Sequence, residues 1–83
     1  MQVNVLYFAW VRERIGHGAE VVETSAATVA DLMAELVGKG PEYEAAFSDV
    51  TALRAAVDQT LVDMDAPLGQ AREVAFFPPM TGG

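Results

Sequence analysis

The amino-acid sequence predicts an α+β domain whose mixed sheet wraps around one main helix. Three observations carry that expectation. Strand-like runs rich in β-branched and aromatic residues stand near both ends of the chain, one amphipathic helical segment covers Thr28 to Val37, and two short apolar runs flank Asp58-Gln59.

Val3 to Ala9 is the first strand-like run. Alternation puts Val3, Val5 and Tyr7 on one face and Leu6 and Phe8 on the other, so this strand is apolar on both sides. A sheet covered by helices on a single side would leave the second apolar face for a partner. Gly16 and Gly18 mark a turn, and Ala19 to Glu23, with Val22 inward, completes an expected β-hairpin. In the helical segment, Val29, Leu32, Met33, Leu36 and Val37 follow the i, i+3, i+4, i+7, i+8 rule of one buried stripe. Thr28 is placed to cap the first turn, Asp31 complements the helix dipole, and Gly38-Lys39-Gly40 ends the run.

Pro41 can open a short second helix that Tyr43 and Phe47 fold onto the core. Leu53 to Val57 and Leu61-Val62 read as short strands around Asp58-Gln59, where a short polar residue tolerates the left-handed conformation of a tight turn. Asp65 to Gln70, with Pro67 and Gly69, is loop. The last strand, Glu73 to Phe77, places Val74 and Phe76 on one side and Ala75 and Phe77 on the other, and Pro78-Pro79 stops it. This order of elements predicts a β-grasp, or ubiquitin-like, fold over residues 1–77, followed by a flexible Gly-Gly tail at 78–83.

Composition narrows the function. A chain of 83 residues is one domain, and its small core leaves little space for a deep private active site, so function belongs at a surface or an end. The formal charge of −7 repels phosphate backbones and anionic lipids, which argues against nucleic-acid and membrane partners. The same charge suits docking to a basic partner pocket, although a solvated acidic face is its commoner use. The absence of cysteine excludes disulfides, thiolate nucleophiles, thiolate metal sites and a persulfide held on a side chain. No basic segment leads into an apolar stretch at the start, and Val5 to Val11 is far short of a bilayer span, so a cytoplasmic location is expected.

The tail carries the clearest chemistry. Pro78-Pro79 favours extended backbone, so Met80-Thr81-Gly82-Gly83 is expected to leave the body of the domain. Glycines carry no Cβ, so a terminal carboxylate at Gly83 can enter a narrow channel and leave its carbonyl carbon open to attack. With a reference pKa of about 3.5 it is ionised at neutral pH, and it can attack the α-phosphate of ATP held by another enzyme to give an acyl-adenylate. A sulfur nucleophile that displaces AMP then leaves a thiocarboxylate, a sulfur donor that needs no cysteine on the carrier. The plain alternative is a frayed, inert terminus.

Val5-Leu6-Tyr7-Phe8-Ala9 with Val11-Arg12-Glu13, the helix start Thr28-Val29, the run Ala55 to Val62, and Glu73 through Phe77-Pro78-Pro79-Met80-Thr81-Gly82-Gly83 resemble the family of molybdopterin synthase small subunits over nearly the whole chain. The resemblance implies a sulfur carrier in molybdenum cofactor biosynthesis, with Gly83 as the acyl-adenylate and thiocarboxylate and Gly82 as its flexible neighbour. It implies that an E1-like adenylating enzyme uses ATP and Mg to activate the chain, and that a sulfur donor such as a cysteine desulfurase or rhodanese system loads it. No cofactor is expected on the chain itself. The large synthase subunit, in a heterotetramer of two small and two large chains, would supply the catalytic side chains that pass sulfur to a pterin precursor and build the dithiolene. This chain would then be a sulfur-donor subunit without catalytic side chains of its own. The positions matching the family's docking contacts are Phe8, Leu61 and Phe77, and Pro78, Pro79, Met80 and Thr81 lead into the partner.

Two departures stand out: Asp58 replaces an expected asparagine, and Gln70-Ala71-Arg72 replaces an expected Gly-Asp approach to the last strand. Other readings of the same pattern are a carrier for the thiazole of thiamine, a ubiquitin-like modifier joined to lysines through Gly83, and an interaction module with an inert tail. Four further features invite a functional reading but fit a structural one. His17 between two glycines is expected to be a solvated loop residue, Trp10 either a partner contact or a cover over the core, Met33 core filler, and Asp63 and Asp65 a soluble loop.

Overall fold

The computed structural model describes residues 1–79. Five strands form one mixed sheet in the order β2-β1-β5-β3-β4, where β1 is Gln2–Tyr7, β2 Ala19–Glu23, β3 Arg54–Val57, β4 Thr60–Val62 and β5 Glu73–Phe77. The first and last strands run parallel side by side, and the other neighbours are antiparallel. Three helices, α1 (Ala9–Ile15), α2 (Val29–Val37) and α3 (Pro41–Ala46), pack against one face of this sheet. This is the expected β-grasp arrangement, with α2 held in the curve of the sheet. No helix among the described residues is long and apolar enough to cross a membrane.

Alternation sorts the strands as expected. Val3, Val5, Tyr7, Val74 and Phe76 point inward and are essentially sealed from solvent, where they meet Val29, Leu32 and Leu36 of the α2 stripe. Thr28 Oγ1 accepts the Asp31 backbone N–H at 3.1 Å, the capping bond predicted for the start of α2. Its end differs from a left-handed glycine cap. Gly38 stays right-handed at φ −69°, and the last carbonyls are met by the N–H groups of Gly38 and Lys39 at 3.2 and 2.9 Å. Pro41 opens α3, whose Tyr43, with Phe47 just after it, covers the core, and the Phe47 ring meets Phe76 edge-on at 5.2 Å. Replacing Leu32 with alanine should lower unfolding free energy by about 2 to 5 kcal/mol in a urea titration, because a fully buried side chain at the centre of α2 would leave a cavity.

The expected β1–β2 hairpin needs correction. The first strand ends at Tyr7, and α1 fills the connection before β2. Ala9 makes the turn out of the strand in the left-handed region at φ 53°, and Gly16 closes the helix at φ 103° with its N–H on Arg12 O at 2.8 Å. Tyr7 through Val11 is a continuous apolar run, which hides the change of period from two to 3.6. The signal for the helix was Val11 and Ile15, four residues apart and both buried. Trp10 packs on the edge of the core with Arg14 stacked 4.7 Å from its ring, so it serves as a cover.

At the β3–β4 turn, Asp58 and Gln59 both adopt positive φ, 48° and 71°, as a two-residue hairpin of this hand requires. Asp58 Oδ1 accepts the backbone N–H groups of Arg72 and Glu73 at 2.9 and 3.0 Å. The two departures from the expected family pattern therefore meet at one contact. Asp58 ties this turn to the entry of β5 using backbone donors alone, so the exposed Arg72 side chain is not needed for it.

Candidate functional site

The helices leave the outer face of the sheet open, and that face is not uniform. Register places Ala19, Leu6, Ala75, Ala56 and Leu61 in one row across all five strands. The next position toward the end of β5 carries Phe77 opposite Arg54, and Phe8 continues beyond Tyr7. Farther from that end, the same face carries Asn4, Glu73 and Arg72 with the turn residues Asp58 and Gln59. The apolar half of the face is thus the half from which the C-terminal segment departs.

Phe8, Ala9, Ala56, Ala75, Phe77, Pro78 and Pro79, with Gln59 and Glu73 on the rim, line an open groove of about 690 Å³ there. Phe8 is 49% exposed and Leu61 66%, values that an ordinary core residue does not show. Alanines at 56 and 75 make the floor shallow, while the two phenylalanines form its walls. A shallow apolar floor with aromatic walls suits another protein's side chains better than it suits a reaction, since among the described residues no nucleophile or acid/base pair lines it.

The predicted docking residues therefore divide as follows. Phe8, Phe77, Pro78 and Pro79 come together in the groove, whereas Leu61 lies beyond Ala56 on the edge strand, on the same face but outside the lining. Met80, Thr81, Gly82 and Gly83 lie outside the described residues. Ala9, Ala56 and Ala75 were not picked out as site residues by the sequence, because a small apolar side chain reads equally well as core filler. The available signal was that Ala56 and Ala75 alternate with the inward residues Ala55 and Phe76.

A polar cluster stands on the inner side at the same end of the sheet. Tyr7 and Tyr43 hydroxyls each donate to Glu20 Oε2 at 2.8 Å, His17 Nε2 lies 3.0 Å from the same oxygen, and Lys39 Nζ donates to Oε1 at 2.8 Å. His17 is the exposed loop residue expected, and its ring also meets the Tyr7 ring edge-on at 5.9 Å. Burial alone would raise the Glu20 carboxyl, but the bonds from Lys39, His17, Tyr43 and Tyr7 outweigh it and hold the group down at about 2. Burial and the same carboxylate push Tyr43 up to about 12 and Tyr7 upward as well.

Because the folded value of Glu20 lies below its ordinary 4.5, ionised Glu20 adds stability above pH 4.5 and loses it as pH falls toward 2. The gap in urea midpoint between the wild type and Glu20→Gln should accordingly be constant above that pH and close below it. A gap independent of pH down to the acid end would show that the charge at Glu20 is not what the hydroxyls and Lys39 stabilise.

Comparison with known proteins follows the same outline. Residues 5–83 match the model of a family described as the ThiS family. The chain is 44% identical over 81 residues to the molybdopterin synthase sulfur carrier subunit of Escherichia coli strain K12, covering 98% of this chain and 99% of that protein. Among solved structures it is similar to SAMP1 from Haloferax volcanii, with a TM-score of 0.79, 26% identity and complete coverage of both chains. It also shares its fold with a chain of the complex of subunits 1 and 2 of molybdopterin-converting factor from Helicobacter pylori 26695, at a TM-score of 0.66, 20% identity and complete coverage of both chains. A match that runs through 79 of the chain's residues, on a β-grasp body with an open apolar groove where its last strand ends, places the chain in the ThiS family.

Proposed function

We propose that this chain is the sulfur carrier of a molybdopterin synthase, with the carboxylate of Gly83 as the group that carries sulfur. The observation that carries the reading is near-complete alignment, at 44% identity, with a sulfur carrier subunit of that synthase. The groove supports it, because an apolar docking surface at the base of the tail lets a partner hold the body while the last residues reach inward.

In this reading a carboxylate oxygen of Gly83 attacks the α-phosphorus of ATP, and pyrophosphate leaves. The donor's persulfide sulfur then attacks the acyl carbon and AMP leaves, and a thiol cleaves the S–S bond of the resulting acyl disulfide, freeing the thiocarboxylate and leaving a disulfide between that thiol and the donor. ATP and Mg belong to an E1-like activating partner, sulfur comes from a desulfurase or rhodanese system, and this chain binds no cofactor. The large synthase subunit seats on Phe8, Leu61, Phe77, Pro78 and Pro79 and receives Met80, Thr81, Gly82 and Gly83 in its pocket, within an assembly of two small and two large chains. The structure from Helicobacter pylori, a complex of subunits 1 and 2, supports a partner of this kind. The lack of cysteine agrees with sulfur held on the main chain, and the whole cycle takes place in the cytoplasm.

Reconstitution tests the reading. Thiocarboxylated chain mixed with the large subunit and the pterin precursor should yield the dithiolene product and return Gly83 as a carboxylate. Thiocarboxylate left intact in a stable complex would overturn the assignment to this synthase, and sulfur delivered instead to a thiazole precursor would favour the thiamine carrier.

A further inference from the structure

Five of the described residues hold φ in the left-handed region: Gly16, Gly69, Ala9, Asp58 and Gln59. At Gly16 and Gly69 a Cβ would meet nothing within 4 Å, so these glycines serve the backbone angle alone. The other three crowd a Cβ against the carbonyl that follows it, a strain that glycine avoids. For Asp58 the reason lies within the chain, since its Oδ1 ties the turn to the N–H groups of Arg72 and Glu73.

The folded body gives no such reason for Ala9 or Gln59. Both are exposed, and both lie outside the hydrophobic core. What they share is the groove: Ala9 lines it beside Phe8, and Gln59 stands on its rim, whereas neither Gly16 nor Gly69 touches it. Strained backbone gathers where a protein meets its ligands, and here two strained side chains that the core does not use face one surface.

The backbone angle itself is imposed at both positions, so only the side chain is left to choice. Phe8 N–H donates to Phe76 O at 3.1 Å, and Phe8 O accepts the Val11 N–H at 3.2 Å. Tyr7 and Val11 are buried on either side, so the chain must turn from strand to helix at Ala9 whatever residue stands there. Glycine would make that turn freely, but it would loosen the backbone that holds Phe8 at the groove wall. In the β3–β4 hairpin both central residues need positive φ, and Asp-Gly is a favoured pair for such a turn, whereas Asp-Gln is not.

We propose that Ala9 and Gln59 are docking determinants for the large synthase subunit, each keeping a strained side chain because that side chain meets the partner. The Ala9 methyl extends the apolar floor and keeps Phe8 ordered before binding, which lowers the entropy lost on docking. The Gln59 amide brings one acceptor and two donors to the rim, where an interface makes its polar contacts. The inference rests on the reading of the groove as the seat of the large subunit, and it names two residues that select for that seat against the domain's own stability.

The test measures stability and docking on the same full-length variants. Ala9→Gly and Gln59→Gly should each melt at the wild-type temperature or above, because glycine removes the left-handed crowding. Calorimetric titration against the large subunit should show Ala9→Gly about fourfold weaker, the loss expected for one buried methyl group. Gln59→Gly should bind about two- to tenfold more weakly, the range of one hydrogen bond. A residue with a purely structural role would not move affinity and melting temperature in opposite senses. Wild-type affinity in the glycine variants, or affinity and melting temperature falling together, would overturn the proposal. A variant that unfolds would overturn it as well, since glycine fits both backbone angles. Phe77→Ala separates the two levels. If it weakens docking while the glycine variants bind like wild type, the groove remains the seat and this inference falls. If the wild-type chain does not bind the large subunit, both fall.

Discussion

A chain lengthened by one alanine after Gly83 will melt like its parent and deliver almost no sulfur. The sheet ends at Phe77, and the core contacts among Tyr7, Leu32 and Phe76 are made within the described residues 1–79, so unchanged melting is the expected result. The added residue does move the reactive carbon by roughly 3.5 Å and puts a Cβ where the partner's catalytic groups must close in. Misplacing a reacting atom by even about 1 Å can cost 10²-fold, so a loss of at least that size is expected in both adenylation and transfer. Thermal melting and a pterin-conversion assay on the same preparation check it. Normal conversion by the lengthened chain would mean that Gly83 is not the reacting end.

Phe77→Ala is expected to weaken docking to the large subunit by more than about 1 kcal/mol while changing stability less, with Phe8→Ala behaving alike. Phe77 is half-buried on the outer face and lines the groove beside Pro78 and Pro79, so its ring has little of the core to support and much of the groove wall to supply. Leu61→Ala should cost less, because Leu61 lies outside that lining although it is the most exposed large apolar side chain among the described residues. Calorimetric titration of each variant against the large subunit gives the order. Unchanged affinity in Phe77→Ala would remove the groove from the interface.

Much of the fold was legible in particular residues. The inward alternation of Val3, Val5 and Tyr7, the stripe from Val29 to Leu36 with Thr28 capping it, and the paired positive φ at Asp58-Gln59 all obey rules that act within a few residues. Where the reading failed, at α1, local signals conflicted: Tyr7 to Val11 is apolar at either period, and the buried pair Val11 and Ile15 acquires meaning only once β5 and α3 are in place to cover it. The groove was half legible. Phe8 and Phe77 stand on the predicted spare face, but the alanine floor depends on the register that sets Ala56 beside Ala75, and strand order is a long-range outcome that no short window contains. The Glu20 cluster was invisible for the same reason, since its members come from β1, a turn, β2, the α2–α3 corner and α3.

The central claim is that the main-chain carboxyl of Gly83 is activated and takes up sulfur. It is tested most directly by incubating the intact chain with its activating enzyme, ATP and a sulfur source, then weighing it and sequencing its C-terminal peptide. The account predicts that one oxygen at Gly83 is replaced by sulfur, with no change elsewhere. An unaltered Gly83, or a population joined through that residue to lysines of other proteins, would contradict it.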